Sequence, residues 1–288
     1  MPMKPAPSKR LALIVGLAAC LPLLVGAAPA KPQRIMSLMM CNDLMLLMLV
    51  PKARIASITY LAHEAVEQIM PGADAGVAIN HGTAEEILLH KPDLIVAGDF
   101  SAPIARRLAR TVGARLIQVP TTNNFTDIRA MTRQIGAAVG EPARAEALIA
   151  RMDRDLADLA ATRPARTVRV AAWVAGGRVP GHGTLTDEII RTAGGTNIAA
   201  TLPDARYGSS SMEQLLAARP DAIMQGEDRY GAPSLTRAAT GHPLMRTLYR
   251  DRRIAYPSSL HTCGLPQTAG AARALRKALM AVPTGPVW

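Results

Sequence analysis

Apolar residues fall into two rhythms along the chain: short consecutive runs, and longer stretches in which they recur three or four positions apart. The first reads as strands covered on both faces and the second as amphipathic helices. The clearest junction between them is Thr83-Ala-Glu-Glu-Ile-Leu-Leu-His-Lys-Pro-Asp-Leu-Ile-Val96. A second copy runs Ser211-Met-Glu-Gln-Leu-Leu-Ala-Ala-Arg-Pro-Asp-Ala-Ile-Met224. Each has a small hydroxyl residue, a Glu two positions on, a mostly apolar stretch, a basic residue, Pro-Asp and an apolar run. Pro92 and Pro220 cannot continue a helix, and they direct Lys91 and Arg219 towards extended geometry. Each copy therefore predicts a short helix feeding a buried strand. One copy in each half predicts two similar lobes.

The remaining elements come in order. Arg34–Met40 reads as the opening strand, Cys41-Asn42-Asp43 as a loop and helix cap, and 44–49 as a helix stopped by Pro51. Strand 54–58, loop 60–63, the first copy, helix 101–112, strand 115–119 and helix 127–139 come next. Such β-α alternation predicts a parallel sheet with both faces covered. After the break at 140–142, Leu148, Met152, Leu156 and Leu159 mark one stripe of a long helix reaching Ala161, a rigid rod between lobes. The second half restarts with strand 168–174, a glycine-rich loop to Gly183, helix 185–193 ended by Gly194-Gly195, and loop 197–209. Beyond the second copy lie loop 226–232, helix 234–239, strand 254–256, loop 257–266 and helix 267–280. The predicted organisation is 1–30 as a signal peptide, 31–140 as the first α/β lobe, 141–163 as the connecting helix and 164–288 as the second α/β lobe.

Residues 1–30 carry Lys4, Lys9 and Arg10 before an apolar run that ends in Ala28-Pro29-Ala30, the pattern of a secretory signal. A membrane anchor is the alternative, opposed by Pro22 within a run of marginal spanning length. Leu17-Ala18-Ala19-Cys20 also resembles a lipobox, although the run stays apolar through Val25. Removing residues 1–30 takes away those three positive charges and no negative ones, so the net charge falls from +11 to +8. A basic secreted protein suits an anionic ligand, partner or membrane surface. Basic residues are too dispersed, and aromatics at 3% too few, for a nucleic-acid binder. Cys41 and Cys263 would be the two cysteines of the mature chain, too few for a disulfide framework and not a CxxC pair.

Several segments in this order resemble the iron-complex and vitamin B12 periplasmic substrate-binding proteins of ATP-driven importers. Arg34-Ile-Met-Ser-Leu38 is similar to their opening strand, and the two Glu…Pro-Asp units to the helix–strand unit of each lobe. Asp187-Glu-Ile-Ile-Arg-Thr-Ala-Gly-Gly-Thr-Asn-Ile198 resembles their glycine-asparagine segment. His242-Pro243-Leu244 and Arg253-Ile-Ala-Tyr256 resemble the closing strand region. The resemblance spans about 33–281. It implies an α/β fold of two Rossmann-like lobes with parallel sheets on one backbone helix, a class III periplasmic binding protein. It also implies a monomer that is no enzyme and has no intrinsic cofactor, delivering a metal chelate (ferric siderophore, haem or cobalamin-type corrinoid) to an ABC permease and its ATPase. Glu85 and Glu213, one per lobe, are the residues it implies for permease docking. A Glu in a first helical turn is also explained locally by the helix dipole and capping.

In parallel α/β sheets ligands sit beyond the carboxyl ends of strands. That rule selects Cys41, Asn42 and Asp43; Tyr60 and His63; Asp99 and Phe100; Arg178 and His182; Tyr207; Asp228, Arg229 and Tyr230; and His261 and Cys263. Cys41, His261 and Cys263 offer thiolate and imidazole ligands for a soft or borderline metal. Two inert buried thiols, or a Cys41–Cys263 disulfide across the ligand space, are the alternatives. Met39, Met40, Met45 and Met48 read as core, Met39 and Met40 by continuing a strand and the other pair by helical spacing. A free-ion receptor is disfavoured because the six histidines are scattered. A secreted enzyme is disfavoured because GxSxG, HExxH and a dinucleotide fingerprint are missing. A sensor on the same fold is a further alternative.

Overall fold

A computed structural model describes residues 1–3, 30–162, 164–174, 178–202, 210–226 and 242–288. The expected signal peptide therefore falls almost entirely outside the described residues, as does helix 234–239. Residues 31–288 form one compact unit. In chain order it contains β1 (Ile35–Ser37), α1 (Met40–Leu49), β2 (Ile55–Thr59), α2 (Ala62–Ile69), β3 (Ile79–Asn80), α3 (Ala84–His90), β4 (Leu94–Gly98), α4 (Ala102–Val112), β5 (Arg115–Val119), α5 (Phe125–Ala138) and α6 (Pro142–Ala161). Then come β6 (Arg169–Ala172), α7 (Leu185–Thr192), β7 (Thr196–Asn197), α8 (Met212–Ala217), β8 (Ala222–Gly226), α9 (Pro243–Leu248), β9 (Arg253–Tyr256), α10 (Ser258–Thr262) and α11 (Thr268–Ala281). No helix among the described residues is long and apolar enough to cross a membrane.

The strands make two sheets, β3-β2-β1-β4-β5 and β7-β6-β8-β9. Every strand pair in both is parallel. Two parallel α/β lobes are thus present, each with its first strand in the interior of the sheet and the Pro-Asp strand beside it.

The repeated segment does the same structural work twice. Thr83 and Glu86 close a reciprocal capping box at the start of α3, and Ser211 and Gln214 close another at α8. At the far end, Asp93 accepts from the amides of Gln33 and Arg34 at 2.6 and 3.0 Å, and Asp221 accepts from that of Arg169 at 2.8 Å. The Arg34 guanidinium donates to the carbonyls of His90 and Lys91. Arg169 likewise donates to those of Ala218 and Arg219. Each Pro-Asp turn is therefore tied to the entry of its neighbouring strand by one carboxylate and one guanidinium. The extended geometry expected for Lys91 and Arg219 is corrected: both are left-handed, with φ of 43° and 46°. Lys91 folds back as the C-cap of α3, its amide bonded to the Ile87 carbonyl, and the hydrogen bonds around the turn hold this conformation.

Helix α6 passes from one core to the other. Its Ala145 and Leu148 pack with α1, β1 and β4 of the first lobe, whereas Met152 and Leu159 pack with β6, β8 and α11 of the second. Gly136 of α5 allows close contact here, since a Cβ on it would lie 2.4 Å from that of Ala145. Arg276 of α11 locks the end of the rod by donating to the carbonyls of Leu159, Thr162, Thr192 and Ala193, at the C-termini of α6 and α7. Arg276→Ala is expected to destabilise the chain by ~2 kcal/mol, the usual worth of hydrogen bonds to a charged donor. A urea titration with unchanged slope and lower midpoint is the expected result.

Candidate functional site

The loops at the carboxyl ends of β1, β2, β3 and β5 enclose a cavity of about 390 Å³, and the segment after β9 completes its wall with Thr262 and Gly264. This volume lies in the range of small-molecule sites. Leu38, Met39, Met40, Leu61, Val119 and Met131 make most of it apolar, and no Lys, Arg, Asp or Glu is among its described lining residues. Met39 reaches it over Gly98, where a Cβ would fall 2.1 Å from the Met39 sulfur.

The polar groups are few and held from behind. Tyr60 and His81, both lining the cavity, stack with ring centroids 5.0 Å apart at 21°. Asn80, fully buried, places the His81 loop by donating to the Ser37 carbonyl and the Ser57 hydroxyl. Glu86 accepts from the His81 amide at 2.8 Å and lies 3.1 Å from its Nδ1. The Thr83 amide first, with His81 contributing, holds the Glu86 carboxyl down at about 2. An anionic carboxylate only accepts, so Nδ1 of His81 donates, and in the neutral form of the ring Nε2 is the nitrogen that carries the lone pair. This carboxylate–histidine pairing orients a metal-binding imidazole. The sequence reading misses His81. The capping signature Thr83-x-x-Glu86 is readable there, but the backward reach of Glu86 to His81 depends on the left-handed turn at Gly82, φ 77°.

The expected site residues divide. Cys41, Asn42 and Tyr60 line the cavity. Asn42 is 1% exposed, and its Nδ2 has no acceptor among the described residues. The expected loop and cap at 41–43 are corrected: these residues form the first turn of α1, with Met39 as an N-cap that makes no side-chain bond. Asp43 turns away from the cavity into the protein and binds Thr59. Met40, Met45 and Met48 are core as expected, Met40 also reaching the cavity, whereas Met39 lines the cavity outside that core.

The expected metal set of Cys41, His261 and Cys263 is also corrected. The two sulfurs are joined in a disulfide with Cα atoms 5.1 Å apart, which leaves no thiolate for a metal. His261 is buried against Tyr256, and burial pushes its imidazole down to about 3. It does not line the cavity. His63 lies on α2, outside the expected loop, with Nδ1 2.7 Å from Asp74. Asp99 binds Gln118 and the Thr121 amide, so it shapes the wall from behind, and Phe100 is 94% exposed. Arg178 and His182 are exposed and are not among the cavity's lining residues. Tyr207, Asp228, Arg229 and Tyr230 lie outside the described residues.

Two parallel α/β lobes on one backbone helix, with a cavity at the carboxyl ends of strands, define a two-lobed binding protein. The sequence pattern of the periplasmic binding protein family matches residues 35–231, and the chain belongs to that family. No curated protein matches the chain by sequence. Among solved structures, the apo heme-binding protein RhuT of Roseiflexus sp. RS-1 is similar with TM-score 0.72 and 23% identity, over 87% of this chain and 99% of that one. The heme-binding protein HutB of Vibrio cholerae gives 0.70 and 17%, over 86% and 98%. The vitamin B12-binding protein BtuF of Vibrio cholerae gives 0.66 and 19%, over 88% and 99%. These likenesses establish the fold, two lobes of class III type, and the family is one of binding proteins.

Proposed function

We propose that this chain is the extracytoplasmic substrate-binding component of an ATP-driven importer, and that it carries a metal macrocycle of the haem or corrinoid type. The observation that carries this reading is His81: an imidazole braced at Nδ1 by Glu86 and stacked on Tyr60 at an apolar cavity. An apolar wall suits the face of a macrocycle, His81 supplies an axial ligand to its metal, and Asn42 donates to an oxygen on the guest. The heme- and B12-binding proteins among the similar structures support the same class of guest. Glu85 and Glu213 serve as the permease contacts.

The test is titration of the purified mature chain with haemin and with cyanocobalamin, followed by absorption spectroscopy. One of them should bind with a displaced absorption band. His81→Ala should weaken that binding at least tenfold, about 1.4 kcal/mol, and alter the band. Identical spectra and affinity in the variant would remove His81 from the site, and failure of both macrocycles to bind would remove the ligand class.

A further inference from the structure

We propose that the Cys41–Cys263 disulfide is a thiol–disulfide exchange site, reached through the cavity by an extracytoplasmic dithiol reductant, and that it latches the segment 258–264 onto the first lobe. Its placement carries the proposal. The described cavity is walled by first-lobe loops except at Thr262 and Gly264, on the segment that returns from β9. One covalent bond, spanning 222 residues of sequence, fastens that segment to α1. The other fastenings are weaker. Gln68 accepts from the Ser259 hydroxyl at 2.7 Å, and Leu260 and Leu265 sit in the first lobe's core. Gly264 lies so close to Thr122 that a Cβ would fall 2.3 Å from the Thr122 hydroxyl. This wall of the cavity is therefore seated by contact and held by sulfur.

The two sulfurs differ in access. Cys41 is half-buried and lines the cavity, whereas Cys263 is 1% exposed and does not. A thiolate of the reductant attacks Sγ of Cys41, the S–S bond breaks, and Cys263 leaves as a thiolate that takes up a proton. The reductant's second thiolate then attacks the mixed disulfide and releases Cys41, which is protonated in turn. Two electrons and two protons pass to the protein, and the dithiol departs as a disulfide. With the cysteines reduced, the wall keeps only its non-covalent contacts. On the reading of this cavity as the ligand site, a bound guest covers Cys41 and slows reduction. A guest that packs against the wall held by the disulfide loses part of that surface when reduction loosens it, so it binds the oxidised form more tightly and by linkage favours that form at equilibrium.

The experiment uses the folded mature chain without ligand. It is treated with dithiothreitol in native buffer, alkylated and mapped by mass spectrometry, and hydrogen exchange is recorded before and after. Both cysteines should be alkylated without denaturant, with a reductant adduct forming on Cys41 before Cys263. Amides of 258–265 should exchange at least tenfold faster, with β1 and β6 unchanged. The Cys41→Ser/Cys263→Ser double variant should reproduce the faster exchange; should that variant not fold, the reduced wild type decides. Alkylation only after unfolding in guanidinium, or unchanged exchange at 258–265 after reduction, overturns the proposal. Neither readout depends on haemin or cyanocobalamin binding, so failure of the macrocycle reading is seen separately.

Discussion

Glu85→Lys and Glu213→Lys together are expected to reduce uptake at least a hundredfold while leaving ligand affinity unchanged. Both residues are exposed at the second position of a helix, one helix per lobe. The reciprocal capping boxes do not require them. The boxes are closed by the next residue in each case: Thr83 accepts from the Glu86 amide and Ser211 from that of Gln214. At Glu85 the surface is also apolar, since Leu88 and Leu89 of α3 are 47% and 75% exposed. Glu85 and Leu89 are four residues apart, hence on one face. At Glu213 the Ser211 hydroxyl, ahead of smaller contributions, holds the carboxyl below its ordinary value, so it is anionic at neutral pH. Breaking a hydrogen-bonded charge pair that becomes buried at a protein interface costs about 2–5 kcal/mol. Loss of the two contacts therefore exceeds the ~2.7 kcal/mol that corresponds to a hundredfold. Reversing a charge in a first helical turn also costs stability, ~0.3–1 kcal/mol each. Thermal melts of the double variant and a Glu→Gln control separate that effect from docking. Uptake is measured in vesicles carrying the permease and ATPase, and normal uptake by the double variant would reject the docking surface.

Local grammar is legible in the sequence, and long-range placement is not. The Pro-Asp segments announce a helix, a stop and a strand, because proline chemistry and apolar run length act within a few residues. What holds the turn open is hidden. Lys91 and Arg219 enter the left-handed region amid hydrogen bonds from Arg34 and Arg169, which lie about fifty residues away or more in sequence. The first turn of α1 reads as a loop because Asn42 and Asp43 resemble caps, yet burial draws both into the helix. The carboxyl-end rule picks out Cys41, Asn42 and Tyr60, which line the cavity, but gives no means of ranking the other loops. His81 comes after one of the shortest strands, β3, two residues long and edge-placed, which no apolar run announces. Cysteines 222 positions apart carry no pairing signal of their own, so metal ligation, a disulfide and inert thiols all fit the sequence.

Asp43→Asn is expected to make the chain more stable at pH 8 and to leave its stability nearly unchanged at pH 4. Asp43 is fully buried, and one oxygen accepts from the Thr59 hydroxyl and amide at 2.5 and 3.2 Å, while the other has no partner among the described residues. Burial raises its carboxyl from 3.8 to about 7, against the lowering effect of the nearby Ser37 hydroxyl and of Thr59. The folded chain thus holds this proton more tightly than the unfolded chain does. The contribution of Asp43 to stability is fully present below pH 3.8, declines as pH rises, and is gone above about 7. A window of roughly three pH units amounts to at most ~4 kcal/mol, taken as an upper bound for a buried group. Asn keeps an oxygen for Thr59 and carries no charge, so the variant lacks the decline. Urea unfolding of both proteins between pH 4 and pH 8 should give a difference that grows through the window and then levels off. A difference independent of pH would show that Asp43 ionises without penalty, and would place an unseen cation or solvent path beside α1.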